Sequence, residues 1–381
     1  MSAHANPDIV DDNLVFMYDT NDGKSYKGEP TTNVNTFTLS DSGTDGSGQS
    51  SVGTRTVITN NHVRIVDVAS NTRQSHLITG LTASTTYTVS IMYKKLAGTP
   101  TFRFQIQDYS SSSYLRTIKF TNTSEIGIED KEGWQLASWT FTLGSDANAV
   151  RIWYQDGADY TTYTHSFELQ NPQLEAKSHA TPYVDGTRSA TQGLLDRTGT
   201  STINISNASF DSNAQMTFDG TDDYISIPTY TFGNGSWTLN AWVNPDVVSG
   251  YNIMSNSSGG PVTNAFGFNG GKIHYRNYDG NWRYHDGNTT LPINNSYMLT
   301  WVNYEGASAS AGTMKMYVNG VADSDVFNSY TTNGGPCNAI GRNWTSAFYN
   351  GKITQVSINT KSFSDAEVLQ NFNATKSRFS L

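Results

Sequence analysis

Short stretches in which apolar and polar side chains alternate with a period of two run through most of the chain, separated by clusters of Gly, Asn, Asp and Ser. A period of two sends successive side chains to opposite faces of a strand. It does not suit a helix, whose apolar stripe recurs every three or four residues. In 101–109, Phe102, Phe104 and Ile106 share one face, and Arg103, Gln105 and Gln107 the other. In 135–143 the shared face carries Trp139, Phe141 and Leu143, and in 149–155 it carries Val150, Ile152 and Tyr154. Trp237, Leu239, Ala241 and Val243 line up in 236–244, and Met314, Met316 and Val318 in 312–320. Strands buried on one face are what antiparallel sheets packed against each other require. Asn319-Gly320 and Asp279-Gly280 read as two-residue hairpin turns, in which both central residues take positive φ. One helix is predicted, near the C-terminus. Ser364-Asp365-Ala366-Glu367 is a capping box, Phe363 and Val368 form its hydrophobic staple, and Val368, Leu369 and Phe372 are expected to face inward. The helix is expected to plug one end of a sandwich.

Composition narrows the function classes. A chain of 381 residues suggests two or three domains. Only 15% of residues are charged and 12% are aromatic, with 33 glycines. Helical bundles and disordered chains are built differently, the former from Ala, Glu, Lys and Leu, the latter with few aromatics. The net charge of −9 argues against binding nucleic acid by phosphate neutralisation. No apolar run approaches the length of a membrane span, so no membrane insertion is expected. The opening MSAHANPDIVDDN has neither a basic stretch nor an apolar one, so no signal peptide is expected. Cys337 is the only cysteine, which excludes an intrachain disulfide and a Cys-based zinc site.

The C-terminal half carries an ordered set of segments: MTFDGTDDYISIP at 216–228, SWTLNAWVNP at 236–245, YMLTWVNY at 297–304, MKMYVNGV at 314–321, AIGRN at 339–343, YNGKITQVSIN at 349–359 and SFSDAEVLQNFNATKSRF at 362–379. Together they resemble a concanavalin A-like sandwich of the LamG/pentraxin type. The opening strand of such a domain is similar to NLVFMYDTNDGKSY at 13–26, but its continuation, RSATQGLLDRTGTSTIN, comes only at 188–204. This implies a discontinuous sandwich, 13–30 plus 186–381, preceded by an arm at 1–12 and interrupted by a domain at 31–185. Two consecutive domains after a free arm are the alternative. Within the insert, GLTASTTYTVSIMYK at 80–94, EGWQLASWTFTL at 132–143 and NPQLEAKSHATPYV at 171–184 resemble the carbohydrate-binding jelly rolls of phage tail proteins and glycanases. The expected fold class is therefore all-β: two antiparallel β-sandwich (jelly-roll) domains, one inserted in the other, with one short C-terminal helix.

This combination resembles virion structural proteins of tailed phages, of the fibre or decoration type. The resemblance implies a non-enzymatic protein of the virion, assembled in the host cytoplasm. Other virion proteins, further copies of itself and host cell-surface polysaccharide are its implied partners. A bacterial carbohydrate-binding protein, or an accessory module of a polysaccharide-degrading enzyme, is the alternative. Glycoside hydrolysis needs two carboxylates flanking the scissile bond, ~5–9.5 Å apart. In the C-terminal segment the only glutamates are Glu305, in a turn, and Glu367, in the capping box. In the insert, strand alternation does not bring Glu125, Glu129, Glu132, Glu168 and Glu175 together on one face. The seven histidines show no metal-ligand spacing.

The sharpest chemical reading is glycan binding at 273–286, IHYRNYDGNWRYHD. A hairpin turning at Asp279-Gly280 would carry Tyr275, Tyr278, Trp282 and Tyr284, with Arg276, Asn277, Arg283 and Asp286 between them. Aromatic rings stack on the apolar faces of sugars, and the polar groups pair with hydroxyls. The alternative is that these rings pack as cross-strand pairs. A second, weaker candidate is Asn343-Trp344 with Tyr349, whereas Trp237 and Trp301 are expected in the core. No cofactor is assigned. Calcium is considered at 19–23 and at Asp219, Asp222 and Asp223. The first departs from a calcium loop in the positions of Gly23 and Pro30, and the second reads as a turn whose Asp residues bond their own backbone.

Overall fold

The computed structural model describes residues 8–35, 39, 53–67, 73–97, 102–111, 113–120, 130–156, 166–206, 208–210, 216–233, 235–256, 264–278, 281–304, 312–324, 327–330, 335–343, 347–379 and 381. Two compact units emerge: Met1–Pro30 with Ser189–Leu381, and Thr31–Arg188. The second boundary falls after Arg188 and not after residue 185, because Thr187–Arg188 pairs with Thr31–Thr32 and so belongs to the inner unit.

Among the described residues, the alternating strands of the discontinuous unit assemble into two large antiparallel sheets, beside a short ladder of Arg342–Asn343 with Ala347–Phe348. One has nine strands and includes Leu14–Asp19, Trp237–Pro245, Tyr297–Tyr304, Gly312–Val318 and Asn350–Asn359. Leu14–Asp19 lies antiparallel beside Asn350–Asn359, with Met17 opposite Ser357, so the chain's opening strand joins the sheet formed by its C-terminal part. The other sheet has seven strands and ends with Asn264–Asn269, Lys272–Tyr278 and Trp282–Asp286. The core between them includes Trp237, Leu239, Phe266, Tyr275, Trp301, Met314 and Met316, all buried. Trp237 and Trp301 are thus core residues.

The outer face of the nine-stranded sheet is also covered. Trp242, Met298, Val302 and Tyr317 pack with Phe363 and Val368 in a second apolar cluster, with Phe372 and Phe379 against it. Trp237–Pro245 is consequently buried on both faces over most of its length. The helix Asp365–Thr375 therefore covers a sheet face, correcting the expectation that it plugs an end. Its capping box is formed: Ser364 Oγ accepts from the Glu367 N–H, and the Glu367 carboxylate accepts from the Ser364 N–H at 2.8 Å. Val368, Asn371 and Thr375 are its buried residues, whereas Leu369 is exposed, which corrects the predicted stripe. The polar pair faces inward because it has partners there. Asn371 Oδ1 accepts from the Val10 N–H at 2.6 Å, and Thr375 Oγ1 accepts from Trp242 Nε1 at 2.9 Å. Residues 8–12 of the expected arm are thus tied down on this side.

The Asn319-Gly320 turn has φ of 52° and 81°, and a Cβ at Gly320 would meet Phe372 Cβ at 3.0 Å. The Asp279-Gly280 turn lies outside the described residues.

The unit Thr31–Arg188 has a five-stranded and a four-stranded antiparallel sheet. Its core includes Val89, Ile91, Ile106, Phe141, Leu143, Val150, Ile152 and Phe167, with Trp139 packed at its margin. The side chains of Phe102, Phe104 and Tyr154, read from sequence as partners of these faces, lie outside the described residues. Among the described residues no helix is long and apolar enough to cross a membrane.

Candidate functional site

Among the described residues, Lys272–Tyr278 and Trp282–Asp286 are the last two strands at one end of the seven-stranded sheet. Their register places His274 opposite Asp286, Arg276 opposite Tyr284, and Tyr278 opposite Trp282. Period-two alternation puts these six on one face of the hairpin and turns Tyr275 to the other. Five of the six residues assigned from sequence therefore share a face. Tyr275 does not, and its assignment is corrected. It is fully buried, packs against Phe266 with centroids 5.1 Å apart, and donates its hydroxyl to Asn264 Oδ1 at 2.5 Å. An aromatic ring one position off an outward face goes to the core, where its apolar area is removed from water.

On the outward face the rings are packed and partly open. The Arg276 guanidinium lies 4.4 Å from the centre of the Trp282 ring, a cation–π distance. Tyr278 and Trp282 meet at 5.1 Å with a 58° tilt. This is the cross-strand packing that the alternative reading predicted, yet it does not enclose the side chains. Arg276, Tyr278 and Trp282 remain half-buried, and Tyr284 is 53% exposed. The result is a polar-rimmed aromatic strip on a sheet edge.

Asp286 is fixed in place. Its carboxylate accepts from Asn269 Nδ2 at 3.1 and 3.2 Å, and its Oδ1 lies 2.5 Å from Nδ1 of the fully buried His274. Burial holds the His274 imidazole below its ordinary pKa, against the pull of the Asp286 carboxylate. Sequence reading missed His274 and Asn269 as supports of this face. For His274 the signal was available, since it stands two positions from Arg276 and so shares its side of the strand. Asn269 belongs to the preceding strand, and only the tertiary fold brings it near.

The weaker candidate does not assemble. Tyr349 belongs to the core, with a ring 5.9 Å from Phe218, and Asn343 is buried. Trp344 lies outside the described residues.

The acidic segments are engaged in structure. Asp19 bonds Arg378 and its Oδ1 accepts from the Asn21 N–H at 2.9 Å, while Asp22 pairs with Arg197. The ligand oxygens of Asp219, Asp222 and Asp223 lie within 4.8 Å of one another. There Asp219 Oδ1 accepts from the Thr221 N–H at 2.7 Å and Asp223 Oδ2 from the Asp219 N–H at 2.8 Å. Asp-rich turns form such bonds on their own, and no cation is assigned to this one. Of the glutamates, Glu367 also pairs with Lys361 at 2.6 Å, and Glu168 is bound by Arg64 and His62. Glu305, Glu125 and Glu129 lie outside the described residues.

Residues 219–369, which contain the hairpin, match the concanavalin A-like lectin/glucanases superfamily, as a laminin G-type domain. Over that segment, less than half of its length, the chain is similar to domains of this superfamily. No curated protein matches the chain. Among solved structures, a domain of an extracellular arabinanase from Geobacillus stearothermophilus, in complex with arabinotriose, is 17% identical with a TM-score of 0.35, over 49% of this chain and 93% of that one. A heptameric SAP-like pentraxin from Limulus polyphemus is 14% identical with a TM-score of 0.32, over 40% of this chain and 78% of that one. A mutant Trypanosoma rangeli sialidase displaying trans-sialidase activity is 13% identical with a TM-score of 0.35, over 48% of this chain and 31% of that one.

Proposed function

We propose that the concanavalin A-like unit binds glycan through the outward face of the 272–286 hairpin, and that the chain serves as a non-enzymatic, homo-oligomeric component of a tailed-phage particle, a fibre or decoration protein contacting host surface polysaccharide and other virion proteins. The observation that carries glycan binding is the half-open strip of Tyr278, Trp282 and Tyr284, flanked by Arg276 and by an Asp286 held in one orientation. Rings that present an apolar face and a polar edge suit a ligand with C–H faces and hydroxyls. A carboxylate already oriented by Asn269 and His274 loses little freedom on binding. The superfamily match of 219–369 supports the same class. The virion role rests on the resemblance of the insert, with its closing motif at 171–184, to jelly rolls of phage tail proteins, and of the combination of the two units to virion structural proteins.

A glycan array with the full chain, beside Trp282→Ala and Tyr284→Ala, tests the binding. Wild type is expected to bind host-envelope polysaccharide and each variant to bind at least about tenfold more weakly, equivalent to ~1.4 kcal/mol. Equal binding by wild type and Trp282→Ala overturns the site. Mass spectrometry of purified phage particles tests the location: the chain is expected in stoichiometric amounts, and its absence overturns the virion role. Reducing-end release from polysaccharide would overturn the non-enzymatic reading.

A further inference from the structure

The closing segment 171–184 reads from sequence as a fold signature, and the structure shows what its polar residues do. Glu175 is fully buried. Its Oε1 accepts from the Thr181 N–H at 2.8 Å and from Gln173 Nε2 at 2.9 Å, and its Oε2 from Thr181 Oγ1 at 2.8 Å and Thr31 Oγ1 at 2.9 Å. All four donors are neutral groups. Gln173 Oε1 in turn accepts from the Val184 N–H at 2.8 Å. From the other side, Arg188 Nη2 donates to the Pro182 and Tyr183 carbonyls at 2.7 and 3.2 Å.

Thr31 is the first residue of the inserted unit and Arg188 its last. One carboxylate thus grips the entry strand, one guanidinium on the exit strand grips the same loop, and Thr31–Thr32 pairs directly with Thr187–Arg188. We propose that this network is a neck clasp, which holds the two ends of the inserted unit together so that the unit closes and unfolds as a cooperative body of its own. The physical argument has two parts. A carboxylate buried among neutral donors is tolerated only while all of them are in place, so the network is held closed as a whole. An insertion whose ends are already tied imposes little on the loop that receives it.

The test uses the full chain. Calorimetry of wild type is expected to show two transitions, and hydrogen exchange assigns one of them to residues 31–188. Glu175→Gln replaces one acceptor by a donor, Thr181→Val removes the shared hydroxyl, and Thr31→Val removes a single donor while keeping the carboxylate. Each is expected to lower the transition of the inserted unit, Glu175→Gln by about 5–10 °C, while the other transition stays in place. Exchange is expected to rise first at the amides of 31–32 and 187–188. A single wild-type transition, variants that move both transitions together, or unchanged exchange at the neck each overturn the clasp.

Discussion

His274 and His285 stand on neighbouring strands, and burial lowers the pKa of both imidazoles. His285 stacks on Tyr275 with centroids 6.0 Å apart and a 17° interplanar angle, and burial, helped by the nearby His274, pushes its pKa down to about 4. In the unfolded chain a histidine takes up its proton near pH 6.5. Between about pH 6.5 and 4 the unfolded state therefore holds more protons, and stability falls as pH falls. Below about 4 both states are protonated and this group adds no further loss. His274, shifted in the same direction, adds to the slope. Urea unfolding of the discontinuous unit at pH 7 and pH 4.5 should differ by about 2 kcal/mol from His285. His285→Gln should flatten the dependence, and an unaltered slope in that variant would count against this account. The same scale explains the split fate of the hairpin aromatics. Tyr275 and Tyr284 belong to one sequence cluster, but Tyr275 finds Asn264 for its hydroxyl inside the core, while Tyr284 stands on the strand that ends the sheet among the described residues and is 53% exposed.

Among elements, the C-terminal helix shows how far local signals reach. Its start is written in four consecutive residues, because a capping box needs only groups three positions apart. Ser364→Ala should destabilise the helix by about 1 kcal/mol, read as faster exchange of the amides in 365–375 with the sheets unchanged. Equal protection in the variant would show that tertiary packing alone holds the helix start. Its buried side could not be read the same way. Asn371 and Thr375 look like solvent-facing residues in the sequence, and they point inward because Val10 and Trp242 supply hydrogen-bond partners from distant parts of the chain. The Asn319-Gly320 turn, like the cap, was legible, since positive φ is a property of two residues and not of their surroundings.

For the whole molecule, the lone cysteine reports on the integrity of the sandwich. Cys337 is fully buried in the main core, and burial pushes its thiol well above the ordinary range. The thiolate is the reactive form. Cys337 should therefore resist an aromatic disulfide reagent in the native protein and react at once in denaturant, and reductant should leave the melting temperature unchanged. Rapid native labelling would mean that the seven-stranded sheet opens at this point.

What the sequence determined alone is what depends on neighbours along the chain: strands from a period of two, a tight turn from Asn-Gly, a helix start from Ser-x-x-Glu, and an aromatic-rich hairpin at 273–286. Its resemblances added the concanavalin A-like sandwich, and the match over 219–369 places that class on the same residues. Only the tertiary structure decided which side of each element is buried. It sent Tyr275 and Tyr349 to the core and left Tyr284 at the surface. It laid the helix over a sheet face, and it brought Asn269 and His274 beneath Asp286. The reason is common to all of these. Alternation states that a strand has two faces, but which face lies against another layer, and which polar groups find partners there, depends on segments far away in the chain.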